Sequence, residues 1–487
     1  MDQPEFGLHE HTVEQERRTL CNRHLFETPE PQSDSSAWKL FTKAMRGLSK
    51  IVGYAPRAGA QEVLHSRSAM KRRRFGGGME RYCRQGVRRQ DSFLTEMQKL
   101  EFYATDKLRT KEDRGIQFRS PTYNAALARH LHHVEKRLYS RARNVDGTPQ
   151  IAKGRSPIER GMILAAMTKR FTNPLFILMD HSRFDAHVNA MLLKEEHKFY
   201  LRVRKYHKEL QQLLKWQEKN IGFSHGGIIY RIAAKRASGD MNTGLGNSVL
   251  NLAMIRAWLE DQGITKFSIF LDGDDSVVIV EDEYADRVET ISPFMLKMGM
   301  VTEVEVTREL EHAEFCQSRV CWGSRGPVMV RNPFKTLDVL TKSPRMLDDV
   351  QAAGVLAASA MGELMQAPGV PIMAPAAAAL LSFSGGKPRF TTPDAYERFL
   401  VYKTNAIYPL VDPAMRESFE FAWGITIPDQ FAAEAYYAEI GKSVSALPEV
   451  KTPRLKSIAQ FEIWDDVQYY EVPRSEDAWW RREWPIG

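Results

Sequence analysis

The stretch FSIFLDGDDSVVIVEDE, residues 267–283, places a short acidic turn between two apolar runs. Both runs are continuously apolar rather than alternating, so other elements should cover both faces of the sheet that they form. Asp272 and Gly273 are a strong signal for a tight turn between antiparallel strands. The chain must therefore fold around a buried hairpin whose acidic tip lies at the edge of a sheet.

The acidic tip has two explanations. Asp274 and Asp275 are adjacent carboxylates that repel one another, and a divalent cation such as Mg²⁺ would relieve this repulsion because it prefers oxygen ligands. A plain turn explains the same residues, since Gly-Asp-Asp occurs by chance in about one chain in ten of this length. We favour the metal site, with the plain turn as the alternative.

Two further acids lie in and after the apolar strand pattern NPLFILMD. Asp180 ends this pattern, so it can stand at the end of a sheet as Asp274 does. Carboxylates from neighbouring strand ends can bridge two Mg²⁺ ions and leave open positions for phosphate oxygens. Asp185 lies at the entry to the next helical pattern, where an interaction with the helix dipole is by itself the simpler explanation.

The segment SGDMNTGLGN, residues 238–247, combines a glycine-rich loop with the start of a helix. Its glycines allow the backbone to approach a ligand closely. Thr243 and Asn247 are four residues apart and share one helix face, and their hydroxyl and amide groups suit recognition of a sugar hydroxyl. A capping loop explains Ser238 and the glycines equally well, but it explains Asn247 poorly.

Two segments are rich in cations. KEDRGIQFRSP contains Lys111, Arg114 and Arg119, which could hold a triphosphate if the segment lies over the acidic turn. Residues 67–90 contain nine Lys or Arg and a single Glu. This composition suits contact with nucleic-acid phosphates, and it equally suits a solvated surface or a nuclear-targeting run.

The predicted elements follow one another as strand and helix, glycine-rich loop and helix, hairpin, and then mostly helices. This order indicates an α+β fold with a core sheet and a helical C-terminal lobe. Residues 1–90 have the character of a basic extension that wraps on the body or is partly loose.

Four segments, together and in this order, resemble the motifs of viral RNA-dependent RNA polymerases, above all the tombusvirus-like enzymes of small positive-strand RNA viruses. They are DHSRFDAHV for motif A, SGDMNTGLGNSVLN for motif B, GDD for motif C and RGIQFRSPTYNAALARHL for motif F. EFCQSR at 314–319 and RNPFKTL at 331–337 further resemble the primer-grip region and the segment after it. The resemblance covers roughly residues 107–340.

The resemblance implies a right-hand fold of fingers, palm and thumb, in which the palm is an antiparallel sheet with helices and the thumb is helical. The domains expected on this basis are a basic N-terminal extension and fingers at 1–90, fingers at 91–170, palm at 171–200, a fingers insertion at 201–234, palm at 235–325, and thumb with C-terminal tail at 326–487.

The same resemblance implies RNA-templated synthesis of RNA from NTPs with two Mg²⁺ or Mn²⁺ ions. Asp180 and Asp274 would hold the ions, with Asp275 as a supporting carboxylate. Beside Asn247, a sugar-reading role of Asp185 now outweighs the helix-dipole role. The residues implied in binding the NTP and its ribose are Asp185, Ser238, Gly239, Thr243 and Asn247; those for the triphosphate are Lys111, Arg114 and Arg119; those of the primer grip are Phe315, Cys316 and Gln317.

The chain departs from the family pattern at one position. Relatives usually carry a lysine before the primer grip, where it is a candidate general acid for the pyrophosphate. Glu303 stands at the expected position, and Lys297 is nearby but precedes the glycine, so the general acid stays unassigned.

The C-terminal tail contains four of the nine tryptophans, namely Trp464, Trp479, Trp480 and Trp484. Packing of a terminal segment onto the thumb is the safer explanation. A stacking platform for the first nucleotide in primer-independent initiation is the bolder one.

Three other functions compete with this interpretation. A reverse transcriptase would share the carboxylates but would place a bulky steric gate near the sugar, against which Asp185 and Asn247 argue. A non-catalytic RNA-binding replication protein would explain the basic run but not three separated carboxylates. A metal-dependent phosphohydrolase would not need residues that read a sugar.

The resemblance also implies partners and a location. The partners are the RNA template and nascent strand, NTPs and an auxiliary replication protein of the virus. The location is the host cytoplasm, at virus-induced membrane replication sites. We expect only an indirect membrane association, because the weakly charged stretch at 352–383 is interrupted by prolines.

Overall fold

A computed structural model describes residues 6–67, 69–99, 101–108, 110–343, 347–385, 388–389 and 411–442. The four tail tryptophans lie outside the described residues. The α-helices are α1 (Val13–Thr19), α2 (Ser36–Val52), α3 (Ala60–His65), α4 (Ala69–Gln85), α5 (Pro121–Arg141), α6 (Pro157–Thr168), α7 (Phe184–His187), α8 (Ala190–Val203), α9 (Lys208–Lys215), α10 (Thr243–Asp261), α11 (Ile291–Leu296), α12 (Pro333–Leu340), α13 (Asp349–Gln366), α14 (Met373–Ser384), α15 (Arg416–Trp423) and α16 (Ile427–Lys442).

The strands belong to four antiparallel or mixed sheets. They are β1 (Phe6–Gly7), β2 (Leu94–Gln98), β3 (Tyr103–Ala104), β4 (Gly115–Phe118), β5 (Pro174–His181), β6 (Lys219–Ser224), β7 (Ile229–Ala233), β8 (Phe267–Asp272), β9 (Asp275–Glu281), β10 (Thr302–Thr307), β11 (Ser318–Gly323) and β12 (Gly326–Arg331). The mixed α+β class expected from the sequence is therefore confirmed.

The central sheet is antiparallel, with the strand order β10-β5-β9-β8. β8 pairs with β9 along its whole length, up to Asp272 opposite Asp275. Gly273 lies in the turn between them with a φ of 75°, which glycine adopts without steric cost. The four inner residues of β8 and the five of β9 are buried, so the expectation that both faces of this hairpin are covered is confirmed.

Helix α10 packs on one face of the central sheet. Most of α10 is buried, and α2 packs against it. Phe41, Met45, Leu48 and Val52 of α2 have no exposed surface, because their spacing places them on one face of the helix. Helix α2 thus packs into the main core, so this part of residues 1–90 is not loose.

The opposite face packs against α6 and the segment that precedes β11. Phe176, Phe270 and Val277 of the sheet form one buried cluster with Leu164 of α6 and with Phe315. Since these contacts lie directly under the acidic turn, they hold the residues at 315–318 against the end of the sheet.

A second sheet has the strand order β4-β2-β6-β7. It joins residues 94–118 to residues 219–233 across more than a hundred positions of the chain, with β2 and β6 running parallel. After the β11–β12 hairpin the described chain is helical, as the sequence predicts for the C-terminal part. Over the described ranges, no helix has the length and apolar character needed to cross a bilayer.

Candidate active site

Carboxylates lie in one row across the four strands of the central sheet. Glu303 of β10 is opposite Asp180 of β5, and Asp272 of β8 is opposite Asp275 of β9. The last paired residues of β5 and β9 are Met179 and Ser276, and Asp180 and Asp275 are the next residues beyond this pair. Directly opposed residues of antiparallel strands share one face. We call these four residues and the adjacent Asp274 the acidic row.

The acids of this row differ in their partners. Asp272 pairs with Lys153, whose Nζ lies 2.9 Å from Oδ1, and with Arg160. Burial alone would raise the pKa of Asp272, but these two cations hold it below its usual range. Asp272 is therefore already neutralised by the protein.

Asp180, Asp274 and Asp275 have no such compensation; among the described residues, their side chains form no ion pair. Partial burial and repulsion from Asp274 and Asp180 raise the pKa of Asp275 to about 6. Partial burial likewise raises the pKa of Asp274, with a smaller contribution from Asp180. Oxygen ligands with uncompensated charge are the donor set that Mg²⁺ and Mn²⁺ prefer, so these residues fit a divalent ion.

Asp185 and Asn247, predicted as a sugar-reading pair, are in contact. The Nδ2 of Asn247 in α10 donates a hydrogen bond of 2.8 Å to Oδ1 of Asp185 in α7. Burial raises the pKa of Asp185 to about 6, although the Asn247 hydrogen bond opposes the rise, and repulsion from Asp274 adds to it. The pair is thus close enough to the acidic row for the carboxylates to interact.

Ser238, Gly239 and Thr243 have their polar groups engaged within the loop. The Oγ of Ser238 accepts a hydrogen bond of 3.1 Å from the N–H of Gln117 in β4. The N–H of Gly239 donates to the carbonyl of Gln117 at 2.7 Å, and a Cβ on Gly239 would lie 2.8 Å from that oxygen. The hydroxyl of Thr243 donates to the carbonyl of Ala237 at 2.7 Å. Ser238 and Gly239 thus hold the loop on β4, and Thr243 holds the loop to itself.

The predicted triphosphate cations occupy two environments. Lys111 and Arg114 are exposed. Lys111 lines a cavity of about 420 Å³ together with Asp180, and the Arg114 charge partly offsets the rise that burial causes in the pKa of Asp274. Arg119 is only 2% exposed. Its Nε donates to Asp240 at 2.7 Å and its other two nitrogens donate elsewhere in the interior. Arg119 is thus buried and fully paired in this structure, and its triphosphate contact stays a prediction.

The predicted primer-grip residues form a tight turn beside the acidic row. Phe315 packs on Phe270 with ring centroids 5.2 Å apart. Cys316 and Gln317 have φ angles of 52° and 55°, a left-handed conformation that costs energy for non-glycine residues and clusters at functional sites. The Cys316 thiol lies close enough to Asp275 to lower the pKa of that carboxyl, against the larger effect of burial. The turn therefore contacts the acidic row directly.

Glu303 belongs to the acidic row, where the family pattern expects a lysine. It lies opposite Asp180 and lines the same cavity as Lys111. Lys297 is exposed at the end of α11, and its carbonyl accepts a hydrogen bond of 2.8 Å from the N–H of Gln32. The general acid stays unassigned.

Comparison with known proteins identifies the family. The model of the family described as viral RNA dependent RNA polymerase matches residues 1–444. The chain belongs to this family of viral RNA-dependent RNA polymerases. It is similar to the RNA-directed RNA polymerase of tomato bushy stunt virus (strain Cherry), with 32% identity over 463 residues, 89% of this chain and 54% of the relative.

Two other polymerases of this kind give similar values. The RNA-directed RNA polymerase of cucumber necrosis virus is 34% identical over 343 residues, 68% of this chain and 42% of the relative. That of tobacco necrosis virus (strain A) is 29% identical over 454 residues, 88% of this chain and 62% of the relative. The chain thus spans about half the length of the polymerases that it matches.

The sequence interpretation missed the cations that neutralise Asp272. Lys153 and Arg160 lie in KGRSPIER, a segment that carries no polymerase motif. It also missed Arg236 and Glu196, a buried ion pair behind Asn247. Arg236 stands two residues before Ser238, just ahead of the glycine-rich loop, and this position was the one available signal.

One other group of described residues could hold a metal ion. Candidate ligand atoms of His130, His207 and Glu209 lie within 4.8 Å of one another. Glu209 already pairs with Arg57 at 2.9 Å and accepts a hydrogen bond from Tyr82. The Arg57 guanidinium supplies positive charge there, which works against a bound cation.

Proposed function

We propose that this polymerase-family chain catalyses RNA-templated synthesis of RNA from NTPs and so replicates a positive-strand viral genome. One observation carries the proposal: Asp180, Asp274 and Asp275 lie uncompensated at neighbouring strand ends, next to the Asp185–Asn247 pair. The names of the relatives, which are RNA-directed RNA polymerases, agree with it.

We assign the central sheet with α10 to the palm of a right-hand fold. The second sheet joins residues 94–118 to residues 219–233, which supports assigning both stretches to the fingers. The helices after β12 would form the thumb. The exposed cations of the basic segment in and after α4, which are Arg72, Arg73, Arg84 and Arg88, would meet RNA phosphates.

Asp180 and Asp274 would hold two divalent ions, Mg²⁺ or Mn²⁺, and Asp275 would support them. When bound, these ions would lower the pKa of the primer 3′-hydroxyl and neutralise charge on the α-phosphate and the pyrophosphate. The Cys316 thiol of the protein itself lies beside Asp275. The protein also keeps Asp272 out of the ion site by pairing it with Lys153 and Arg160.

The NTP would be bound by groups on either side of this row. Asp185 would accept a hydrogen bond from the ribose 2′-hydroxyl, and Asn247 orients its carboxylate. Arg114 and Lys111 would contact the triphosphate, since both are exposed near Asp274 or Asp180. Ser238, Gly239 and Thr243 would act indirectly, by holding the loop that leads into α10.

The proposed partners are the RNA template and nascent strand, NTPs and a viral auxiliary replication protein. We place the activity in the host cytoplasm at virus-induced membranes, with membrane contact through a partner. The composition of the basic segment in α4 supports only the RNA part of this proposal.

Template-directed incorporation of labelled NTPs by the purified chain tests the function, with Mg²⁺ and Mn²⁺ in separate reactions. Asp274→Ala should abolish incorporation, whereas Asp286→Ala, a control acid with 70% of its side chain exposed, should leave it unchanged. No product with either metal, or equal product from Asp274→Ala, would overturn the proposal. Preference for dNTPs would instead indicate a reverse transcriptase.

A further inference from the structure

A chain of buried polar side chains begins behind the Asp185–Asn247 pair. The Oδ1 of Asn247 accepts a hydrogen bond of 3.0 Å from Nε of Arg236. The Nη1 of Arg236 donates to Oε1 of Glu196 at 3.0 Å, and Nη2 pairs with the other carboxylate oxygen. Arg236 is 2% exposed and Glu196 is fully buried. We call this chain and its continuation the buried network.

From Glu196 the buried network continues to Arg119. The Nδ2 of Asn242 donates to Glu196 at 2.9 Å, and Nε2 of Gln217 donates to Oδ1 of Asn242 at 2.9 Å. The same Gln217 nitrogen lies 3.2 Å from Oδ2 of Asp240, whose Oδ1 accepts from Arg119 at 2.7 Å. The network thus links the sugar-reading pair to the strand that carries motif F.

The contact with Arg236 decides which way the Asn247 amide points. A guanidinium can only donate hydrogen bonds, so it requires the amide oxygen on its side. The amide nitrogen then faces Asp185, where it donates to the carboxylate. The flipped amide would set two donors against each other at Arg236 and two acceptors against each other at Asp185.

Arg236 also holds the backbone of Asp185. Its backbone N–H donates a hydrogen bond of 2.9 Å to the backbone carbonyl of Asp185. Helix α10 leaves room for the ion pair at Gly246, because a Cβ on this residue would overlap atoms of both Glu196 and Arg236. The guanidinium of Arg236 therefore contacts Asn247, and the backbone of the same residue contacts Asp185.

The ion pair is a costly element to bury. Burial alone would lower the pKa of Arg236, and Glu196 raises it instead. Replacing a buried ion pair by packed apolar residues is often neutral or stabilising, so such pairs are weak evidence for a role in stability. Orientation of the groups that they contact is the alternative explanation.

We propose that Arg236, held by Glu196, is a positioning residue that orients Asn247 and Asp185 for selection of ribose over deoxyribose. The proposal rests on the polymerase function proposed above. Arg236 itself touches no substrate in this scheme; it acts through the Asn247 amide.

The test replaces both charges at once, as Arg236→Met with Glu196→Leu, so that no unpaired charge is left in the interior. Single-turnover extension of a primed RNA template gives kcat/KM for an NTP and for its dNTP. We expect the ratio of kcat/KM for the NTP to kcat/KM for the dNTP to fall about tenfold, which corresponds to about 1.4 kcal/mol. The fall should come from slower NTP incorporation. Arg416→Met with Glu434→Leu removes a matched bidentate pair in the C-terminal helices and should leave the ratio unchanged.

Two further variants separate positioning from general damage. Arg236→Lys retains the charge opposite Glu196 but loses the fork of donors, so it should fold and lower the ratio by a smaller factor. In an Asn247→Ala background, the double replacement should add little further loss, because both changes act through one contact.

The outcomes are distinct. No NTP incorporation by the unmodified chain contradicts the proposed function itself. With that activity present, an unchanged ratio in the double replacement overturns the positioning role, and so does a loss that adds in full to that of Asn247→Ala. If the double replacement does not fold, an unchanged ratio in Arg236→Lys overturns it.

Discussion

The acidic row and the buried network both contain carboxylates, but the two differ in whether a cation compensates the carboxylate charge. In the row, Asp180, Asp274 and Asp275 are exposed and lack cationic partners among the described residues. In the network, Arg236 and Glu196 are buried and satisfy each other. An uncompensated acid can take a metal ion from solution, whereas a compensated one can only hold its neighbours. The difference separates groups that act on substrate from groups that orient them.

Breaking the network on one side should have the largest effect. Glu196→Leu leaves the buried Arg236 guanidinium without a carboxylate to balance its charge, and we expect a loss of about 3–5 kcal/mol in the free energy of unfolding. Urea denaturation measures it. Adding Arg236→Met should recover most of the lost stability. A double replacement as unstable as Glu196→Leu alone would contradict the view that the two charges of the network compensate each other.

Removing one acid from the row should instead spare the fold. Asp180→Asn should lower NTP incorporation by more than about a hundredfold. Replacing a residue that only hydrogen-bonds to a metal ligand already lowers metal affinity or activity by about 10–100-fold. The metal-free melting temperature should not fall, because one like charge is removed.

A second readout of the same variant does not depend on activity. Millimolar Mg²⁺ should raise the melting temperature of the unmodified protein, because a ligand that binds the folded state stabilises it. Asp180→Asn should lose that rise. An equal rise in both proteins would show that Asp180 holds no ion.

Asp272 lies in the acidic row but is paired with cations, as the acids of the buried network are. Its replacement should therefore destabilise the fold, as replacement of a network residue does. Asp272→Asn leaves Lys153 and Arg160 without their carboxylate, at a cost of about 1.5–3 kcal/mol in the free energy of unfolding. Urea denaturation of Asp180→Asn and Asp272→Asn side by side compares the two acids. Equal stability of both variants would remove the distinction that we draw within the row.

The smallest expected effect is on stability, when either of two glycines of α10 is replaced by alanine. A Cβ on Gly246 would overlap the buried ion pair, whereas a Cβ on Gly244 would meet the flexible end of Lys153. Gly246→Ala should therefore destabilise by about 1 kcal/mol, and Gly244→Ala should be neutral or stabilising through its helix propensity. Thermal unfolding of both variants decides whether the network tolerates displacement.

Much of the site could be predicted because its signals are local. The tight turn at Gly273, the strand that carries Asp180 near its end and the helix that carries Asn247 each follow from a short run of residues. The burial of Arg119 could not be predicted, for the opposite reason. Its charge suggested exposure, but its partner Asp240 lies 121 positions further along the chain.

The sequence alone determined the hairpin, the order of the elements and the identity of the acids, because strand, turn and helix patterns depend on neighbouring residues. Only the tertiary structure decided which charges are neutralised. Lys153 reaches Asp272 across 119 positions and Arg236 reaches Glu196 across 40. Such pairings depend on how distant segments pack, and it is packing that leaves Asp180, Asp274 and Asp275 uncompensated at the edge of the sheet.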